Sequence, residues 1–466
     1  MSDVLAVGRS PLAVYTPVPP TRTGVAHYAS MLIPALQAKF DVEVISSDGQ
    51  RPTANGQRIY QLGNNPHHEW IYKEAMQHPG VIVLHDIVLH HLIVEMTLAR
   101  GDVDGYVAAL EANHGAAGAA WARGRAAGLH SEMGNFLLPA SIEIANRSSA
   151  VIVHNHYAAD RLQSLGVRTP IHVVPHPYEP QHVPKGGRKN VIGLFGFLTS
   201  AKRSDVVLQA FREARTTNRD VRLLIVGEPA PNIDTSAFAG DGIVFTGYVP
   251  DEEFVNYFAE VDRVVNLRYP TAGETSGTLI RAFDAGKPVA VSDYAQFAEL
   301  PDDCVTKIPL GSGEVEALMK FFTADLRDPS AAQRRWLEEN ARIDLTVQGY
   351  VNACSGGGGL QAAVGGLKPA ATLPLFPKLE VVGEVVNILT IRNIGDTVLR
   401  ARAYGEPGYQ LIANGHWLDL PRDLAPGETA TIELPNELRG TTVTLIHAMQ
   451  GIPMVEPEAW ARVAVQ

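Results

Sequence analysis

The sequence predicts an α/β protein in which two domains with parallel, doubly wound sheets precede an antiparallel β-domain. Short apolar runs alternate with helical segments between residues 12 and 292, as in parallel sheets whose strands are joined by helices. A polar stretch at 177–189 interrupts this alternation, which then starts again. After the four glycines at 356–359, the pattern changes to β-branched segments separated by turn residues. At 466 residues, two or three domains are expected.

The first predicted domain covers residues 1–185. A helix is predicted at 25–39 because Tyr28, Leu32 and Leu36 recur at helical spacing. Further helices are predicted at 103–145 and 158–165. Short, mostly apolar runs predict strands at 12–15, 42–45, 81–84, 150–153 and 171–174.

The second predicted domain covers residues 186–330. Its strands are predicted at 191–194, 222–226, 243–245, 264–267 and 289–292, and its helices at 204–215 and 278–285. Gly286 and Pro288 end the latter helix. A further helical pattern covers residues 331–352.

A linker at 354–370 and a β-sandwich at 371–466 complete the predicted organisation. Alternating or β-branched runs predict strands at 379–382, 386–390, 398–404, 429–434 and 442–446. Tyr404, Tyr409 and Trp417 could stack on a sugar or fill the core of the sandwich, and the latter is the commoner use of such residues.

The composition limits which binding partners and which cellular compartment are expected for the chain. The net charge of −11 argues against a broad nucleic-acid surface. Cys304 and Cys354 are the only cysteines, which argues against a disulfide framework. The N-terminus lacks a basic start followed by a long apolar run, so neither a signal peptide nor a membrane span is expected. These features predict a cytoplasmic protein and leave peripheral membrane contact open.

The loop at 273–277 is the strongest candidate for a binding site. It lies between a predicted strand and the predicted helix at 278–285, so its backbone N–H groups should face an anion at the helix N-terminus. Gly277 lets a phosphate approach closely, and Thr275 and Ser276 can cap the helix or bind a phosphate oxygen. Glu274 suits sugar hydroxyl groups beside a diphosphate. A capped helix without a ligand explains the same spacing about equally well.

Several segments together resemble the glycosyltransferases of family 4 (glycosyl transferases group 1), over roughly residues 10–352. The segments that carry the resemblance are 19–28, 83–86, 151–155, 173–177, 195–198 with Lys202, 245–250 with Asp262, 274–288, 292–293 and 299–301. No single segment is decisive, but their order and spacing are fairly specific. The resemblance implies a GT-B fold, in which two Rossmann-like domains face a cleft. The resemblance also implies that the segment at 331–353 is a crossover helix that returns to the first domain. The predicted β-sandwich is an addition to that fold.

The resemblance also implies the reaction. A retaining, hexosyltransferase-type enzyme would move a sugar from a nucleotide diphosphate sugar to a hydroxyl group of a glycan or lipid-linked acceptor, in polysaccharide assembly. The implied catalytic residues are His85, Lys202 and Glu274. The implied donor-binding residues are Gly24, Gly196, Lys202, Gly247, Tyr248, Glu274, Thr275, Ser276, Gly277, Thr278 and Arg281. No cofactor is expected, and the departing diphosphate itself helps to deprotonate the acceptor.

Two positions depart from the family pattern. Phe197 stands in the loop where the family often has arginine. The family also has a second glutamate after the one that matches Glu274, and here that place falls on Ala282 or Arg281, depending on how it is counted. Two alternatives therefore stay open: a catalytically silent protein that binds nucleotide-sugars, and a phosphorylase-like enzyme of the same fold.

Two other groups of residues suggest a metal site only weakly. His90 and His91 with Glu95 lack a recognised ligand spacing. Asp102 and Asp104 form a D-x-D triplet, but they precede a helical segment and suit a helix cap better. We expect no essential metal.

Overall fold

A computed structural model describes residues 9–21, 23–53, 55–128, 132–180, 183, 189–231, 233–311 and 313–356. It also describes shorter segments between 379 and 462. The chain forms two compact units. One contains Met1–Leu92 with Ser141–Ala370, and the other contains Ile93–Ala140 with Ala371–Gln466.

The first α/β domain contains six parallel strands in the order β2-β1-β3-β4-β5-β6. These are β1 (Pro11–Tyr15), β2 (Asp41–Ile45), β3 (Gln57–Leu62), β4 (Val81–Leu84), β5 (Ala150–Val153) and β6 (Ile171–Val173). The helices that join them within this unit include α1 (Gly24–Gln37), α2 (Glu69–Gln77), α6 (Ile142–Arg147) and α7 (His156–Ser164). A shorter helix, α3 (His90–Met96), leads out of the unit.

Strands β1, β4 and β5 of this sheet are buried almost throughout, which is why they read as continuous apolar runs. Strand β3 was not predicted, because Gln57, Arg58 and Gln61 interrupt its apolar pattern.

The second α/β domain contains six parallel strands in the order β12-β11-β10-β7-β8-β9. These are β7 (Val191–Phe195), β8 (Arg222–Val226), β9 (Ile243–Phe245), β10 (Arg263–Asn266), β11 (Val289–Ser292) and β12 (Thr306–Ile308). Its helices are α8 (Ser204–Thr217), α9 (Asp251–Asn256), α10 (Gly277–Asp284) and α11 (Glu314–Thr323).

The predicted crossover segment forms two helices, α12 (Ser330–Asn340) and α13 (Ile343–Cys354). Leu337 of α12 packs in the core of the second domain. Tyr350 of α13 packs in the core of the first domain, and its hydroxyl lies 2.8 Å from that of Tyr28 on α1. The chain therefore passes from the core of the second domain back to that of the first.

The second compact unit contains α4 (Val103–Ala126), α5 (Glu132–Leu137) and two antiparallel sheets. Strands β13 (Leu379–Val385), β14 (Ile388–Asn393) and β17 (Thr429–Glu433) form one sheet. The other contains β15 (Tyr409–Ala413), β16 (His416–Asp419), β18 (Thr442–His447), β19 (Ile452–Pro453) and β20 (Ala461–Arg462). Asp102 caps α4 by accepting a hydrogen bond from Gly105 N–H, as expected.

Several predicted features lie outside the described residues. These are the strand at 398–404 with Tyr404, the linker beyond residue 356, and the side chains of Tyr409 and Trp417. The domain boundaries at residues 185, 330, 353 and 370 stay predictions. The predicted fold class is confirmed: two Rossmann-like domains of the GT-B kind are present, with antiparallel strands in the C-terminal segment.

Candidate functional site

A cleft of about 740 Å³ lies between the two α/β domains, which belong to the same compact unit. Its walls are loops that follow the carboxyl ends of the parallel strands, where open α/β sheets usually bind ligands. Nine of the predicted site residues line it: Gly24, His85, Gly196, Tyr248, Glu274, Thr275, Gly277, Thr278 and Arg281. Lys202, Gly247 and Ser276 are not among the lining residues.

The N-terminus of α10 opens into this cleft. Ser276 caps the helix, because its Oγ accepts a hydrogen bond from Leu279 N–H while its carbonyl accepts one from Ile280 N–H. The N–H groups of Gly277 and Thr278 precede any intrahelical acceptor. A Cβ added at Gly277 would meet open space. Two backbone donors at the positive end of a helix dipole therefore face the cleft, as an anion requires.

The amine of Lys202 lies beside Gly196, close to the N-terminus of α10. Gly196 has a φ of +89°, and a Cβ on it would lie 2.8 Å from Lys202 Nζ and 3.2 Å from Thr278 Oγ1. Lys202 is buried and donates to the carbonyl oxygen of Phe195. Burial, and then the charge of Arg268, hold the pKa of Lys202 well below its usual range, while Glu274 acts in the opposite direction. An anion beside Gly196 would favour the charged form of this amine.

Glu274 forms several hydrogen bonds within the segment that precedes α10. Its Oε1 accepts a hydrogen bond of 2.6 Å from Arg268 Nε. Its Oε2 accepts bonds from Thr271 Oγ1 at 2.9 Å and from Ala272 N–H at 3.0 Å. Both oxygens thus already have protein partners, although the side chain lines the cleft. Glu274 can still accept a ligand hydroxyl group through its remaining lone pairs.

The same loop contacts the first domain. Ile87 N–H donates to Ala272 O, and Asn155 Nδ2 donates to Gly273 O, both at 2.8 Å. Glu299 adds a third link by accepting from the N–H groups of His156 and Tyr157 at the start of α7.

A chain of hydrogen bonds runs through the wall of the first domain. His85 Nε2 contacts Gln61 Oε1, and His85 Nδ1 lies 3.2 Å from His154 Nε2. His154 Nδ1 lies 2.9 Å from the carbonyl oxygen of Val174. Burial lowers the pKa of His85 well below its usual value and that of His154 to about 4. Both rings are therefore neutral at pH 7, and both nitrogens of His85 already contact protein.

Asp86, next to His85, is the titratable carboxyl group of this wall. It lines the cleft and accepts a hydrogen bond of 3.0 Å from Asn64 N–H. Burial, and then the negative charge of Glu274, raise the pKa of Asp86 to about 7.

Aromatic side chains also line the cleft. Phe197 and Tyr248 are 53% and 52% exposed, although most large apolar side chains of these domains are buried. Arg281 lies over the ring of Phe254, with its guanidinium carbon 5.2 Å from the ring centroid. Gly247, with a φ of +69°, precedes Tyr248 and accepts a hydrogen bond from Gly227 N–H. Exposed rings such as those of Phe197 and Tyr248 can stack on a base.

Of the nine predicted site residues that line the cleft, only Gly24 and His85 belong to the first domain. Gln61 gave no signal, because only the order of β3 and β4 in the sheet brings it to His85. Tyr350 gave none either, because it reaches Gln61 from the distant helix α13. Among the described residues, no cluster of His, Cys, Asp or Glu side chains could hold a metal ion. None of the helices in that same part of the chain is long and apolar enough to cross a membrane.

Residues 189–327 match the family model described as Glycosyl transferases group 1, so the second α/β domain is similar to transferases of that group. No curated protein matches the chain.

Solved structures with a similar fold include sucrose-phosphate synthase from Thermosynechococcus elongatus, at 14% identity and a TM-score of 0.49, covering 74% of this chain and 98% of that one. Another is HepE from Anabaena in complex with UDP and glucose, at 14% identity and a TM-score of 0.48, covering 74% and 100%. A third is WaaG, a glycosyltransferase involved in lipopolysaccharide biosynthesis, at 15% identity and a TM-score of 0.46, covering 74% and 100%. At identities and TM-scores this low, the similarity carries no conclusion about the reaction of this chain.

Proposed function

We propose that this chain is a retaining glycosyltransferase that moves a sugar from a nucleotide diphosphate sugar to a hydroxyl group of a glycan or lipid-linked acceptor. The observation that carries the proposal is that the α10 N-terminus and Gly196 line the cleft together, with Lys202 Nζ directly beside Gly196. These groups lie within the segment that matches the group 1 transferase model. The match to that model supports sugar transfer rather than another use of an anion site.

In the proposed reaction the bond between the anomeric carbon and the diphosphate oxygen breaks. A bond from that carbon to the acceptor oxygen forms on the same face, and the acceptor proton passes to the departing diphosphate. The enzyme then has mainly to stabilise negative charge on the leaving group. The N–H groups of Gly277 and Thr278 and the amine of Lys202 are suited to this. Glu274 orients the sugar through its hydroxyl groups.

A silent nucleotide-sugar-binding protein is the second candidate. Phe197 takes a place in the cleft wall that would suit a phosphate-binding cation, and Lys202 is already bound to Phe195 O. Either feature could leave binding intact while weakening the stabilisation of the leaving group.

Release of nucleoside diphosphate from a panel of donors separates these candidates. We expect the wild-type chain to hydrolyse at least one of UDP-glucose, UDP-galactose, UDP-N-acetylglucosamine and GDP-mannose slowly. Lys202→Met and Glu274→Ala should abolish this release, whereas Lys320→Met, on an exposed lysine of the same domain, should not change it. Binding of a donor without release, even with acceptor extracts added, favours the silent protein.

Three finer features belong to the same proposal. Retention predicts a product with the anomeric configuration of the donor sugar, which NMR coupling constants report. A metal-independent, hexosyltransferase-type reaction predicts that EDTA leaves release unchanged. A cytoplasmic location, with peripheral contact at the inner membrane for a lipid-linked acceptor, is supported by two buried free cysteines.

A further inference from the structure

Three histidines lie together at the cleft wall of the first domain. His85 follows β4, His154 follows β5, and His176 lies just beyond β6. These strands are neighbours in the sheet, so the side chains that follow them meet at its carboxyl edge. Tyr28 packs against all three rings, with centroid distances of 4.6, 5.3 and 5.0 Å. All three histidines line the cleft.

The hydrogen-bond donors and acceptors around His85 and His154 determine which nitrogen of each ring carries the proton. The carbonyl oxygen of Val174 can only accept, so His154 carries its proton on Nδ1 and its Nε2 must accept. His85 then donates from Nδ1, which leaves its Nε2 as an acceptor. A neutral His85 therefore requires Gln61 to turn its amide nitrogen towards the ring, with its oxygen towards Tyr350. Neither ring keeps a nitrogen for a ligand.

His176 differs from these two rings. Its Nδ1 lies 2.9 Å from the carbonyl oxygen of Pro177, so the same reasoning places its proton on Nδ1. Its Nε2 has no hydrogen-bond partner within the part of the chain that the structure describes. Burial, and then the charge of His154, lower the pKa of His176 to about 3, and His27 acts in the same direction. At pH 7 the ring is a neutral acceptor in the wall of the cleft.

We propose that Nε2 of His176 accepts a hydrogen bond from a hydroxyl group of a sugar-containing ligand, and that His85 acts as a positioning residue with both its nitrogens held by Gln61 and His154. The inference rests on the proposed function for the identity of that ligand.

The chemistry of the two walls supports this assignment. The anion-binding groups, which are the α10 N-terminus and Lys202, belong to the second domain, so a bound diphosphate would lie against that wall. A neutral imidazole nitrogen has a lone pair and no proton, which repels phosphate or carboxylate oxygens and attracts a hydroxyl proton. The hydroxyl group can belong to the transferred sugar or to the acceptor that attacks it, and the two sources give different kinetic results.

The first test concerns the rings of the wild-type chain. Nitrogen-15 NMR of the imidazoles should show His176, His154 and His85 as Nδ1–H tautomers at pH 7. Adding UDP-glucose should shift the Nε2 signal of His176, while UDP alone should not. A proton found on Nε2 of His176 in the free protein overturns the inference, whatever the activity of the chain. So does an Nε2 signal that stays unmoved by each donor that binds, both without and with acceptor extract present.

The second test compares His176→Phe, which keeps a ring without a nitrogen, with His176→Gln, which keeps an acceptor. We expect His176→Phe to lower the rate of nucleoside diphosphate release about two- to tenfold, the range set by one hydrogen bond to a neutral group. His176→Gln should restore most of that loss. His78→Gln, on an exposed histidine at the end of α2, serves as the control and should not change it.

The affinity of His176→Phe for UDP-glucose distinguishes the two possible sources of the hydroxyl group. If the transferred sugar provides it, His176→Phe weakens binding of UDP-glucose relative to UDP. If the attacking acceptor or water provides it, donor affinity is unchanged and only the rate of release falls. Equal rates and affinities in wild type and His176→Phe overturn the inference. Absence of release and of binding in the wild-type chain refutes the proposed function instead, and the tautomer of His176 then still decides the inference.

Discussion

The ion pair between Arg203 and Glu314 positions the turn that presents Lys202. Arg203 has a φ of +54° at the start of α8, and its Nε and Nη2 each donate to Glu314 at 2.6 Å. The two side chains are only 10% and 3% exposed. In Glu314→Gln the buried guanidinium loses its compensating charge. Breaking a buried pair in this way costs about 3–5 kcal/mol, and we expect about 3 kcal/mol because the amide oxygen still accepts one bond.

The assay is urea unfolding of Glu314→Gln beside Glu316→Gln. Glu316 lies on the same helix and pairs with Lys320, but both side chains are more than two-thirds exposed, so this control should unfold like wild type. Because Arg203 directly follows Lys202, Glu314→Gln should also weaken UDP binding. Equal unfolding midpoints for the two variants would refute the reasoning that burial makes this pair strong.

Three further variants test the geometry of the cleft. Gly196→Ala places a methyl group against Lys202 Nζ at a positive φ, and should weaken UDP binding at least about tenfold by calorimetry. Gln61→Glu offers His85 Nε2 a partner that can only accept, so the pKa of His85 should rise, as NMR titration would show. Asp86→Asn removes a carboxyl group whose folded-state pKa is raised to about 7. The contribution of Asp86 to stability is full below its unfolded pKa of about 4 and is lost as the pH rises through 7. The variant should therefore lessen the fall in urea midpoint between those pH values, and an unchanged profile would contradict the shift.

The fold could be predicted from the sequence where strands are buried, because such strands appear as short apolar runs. Strands β4, β5 and β10 are buried on both faces and read as short apolar runs. Strand β3 was missed because its polar residues serve tertiary contacts: Gln61 reaches Tyr350, nearly 290 positions away along the chain. Strand β12 was missed because only one of its three residues, Ile308, is apolar.

One part of the candidate site could likewise be predicted from the sequence, and another part could not. The loop before α10 could be predicted because cap, glycines and helix are contiguous in the sequence. The arrangement of His85, His154 and His176 could not, because it depends on the order of β4, β5 and β6 in the sheet. Their residue types gave no hint that two of the rings are fully bonded while the third keeps an acceptor.

Residues 271–274 connect these two walls physically. Glu274 holds the loop to Arg268, while the carbonyl oxygens of Ala272 and Gly273 accept hydrogen bonds from the first domain. The loop leads directly into the N-terminus of α10, where an anion would bind. A ligand that moved this helix end would therefore also strain the contacts with the first domain. Occupation of the anion site and the separation of the cleft walls are for this reason expected to be coupled through one short segment rather than through the helices behind it.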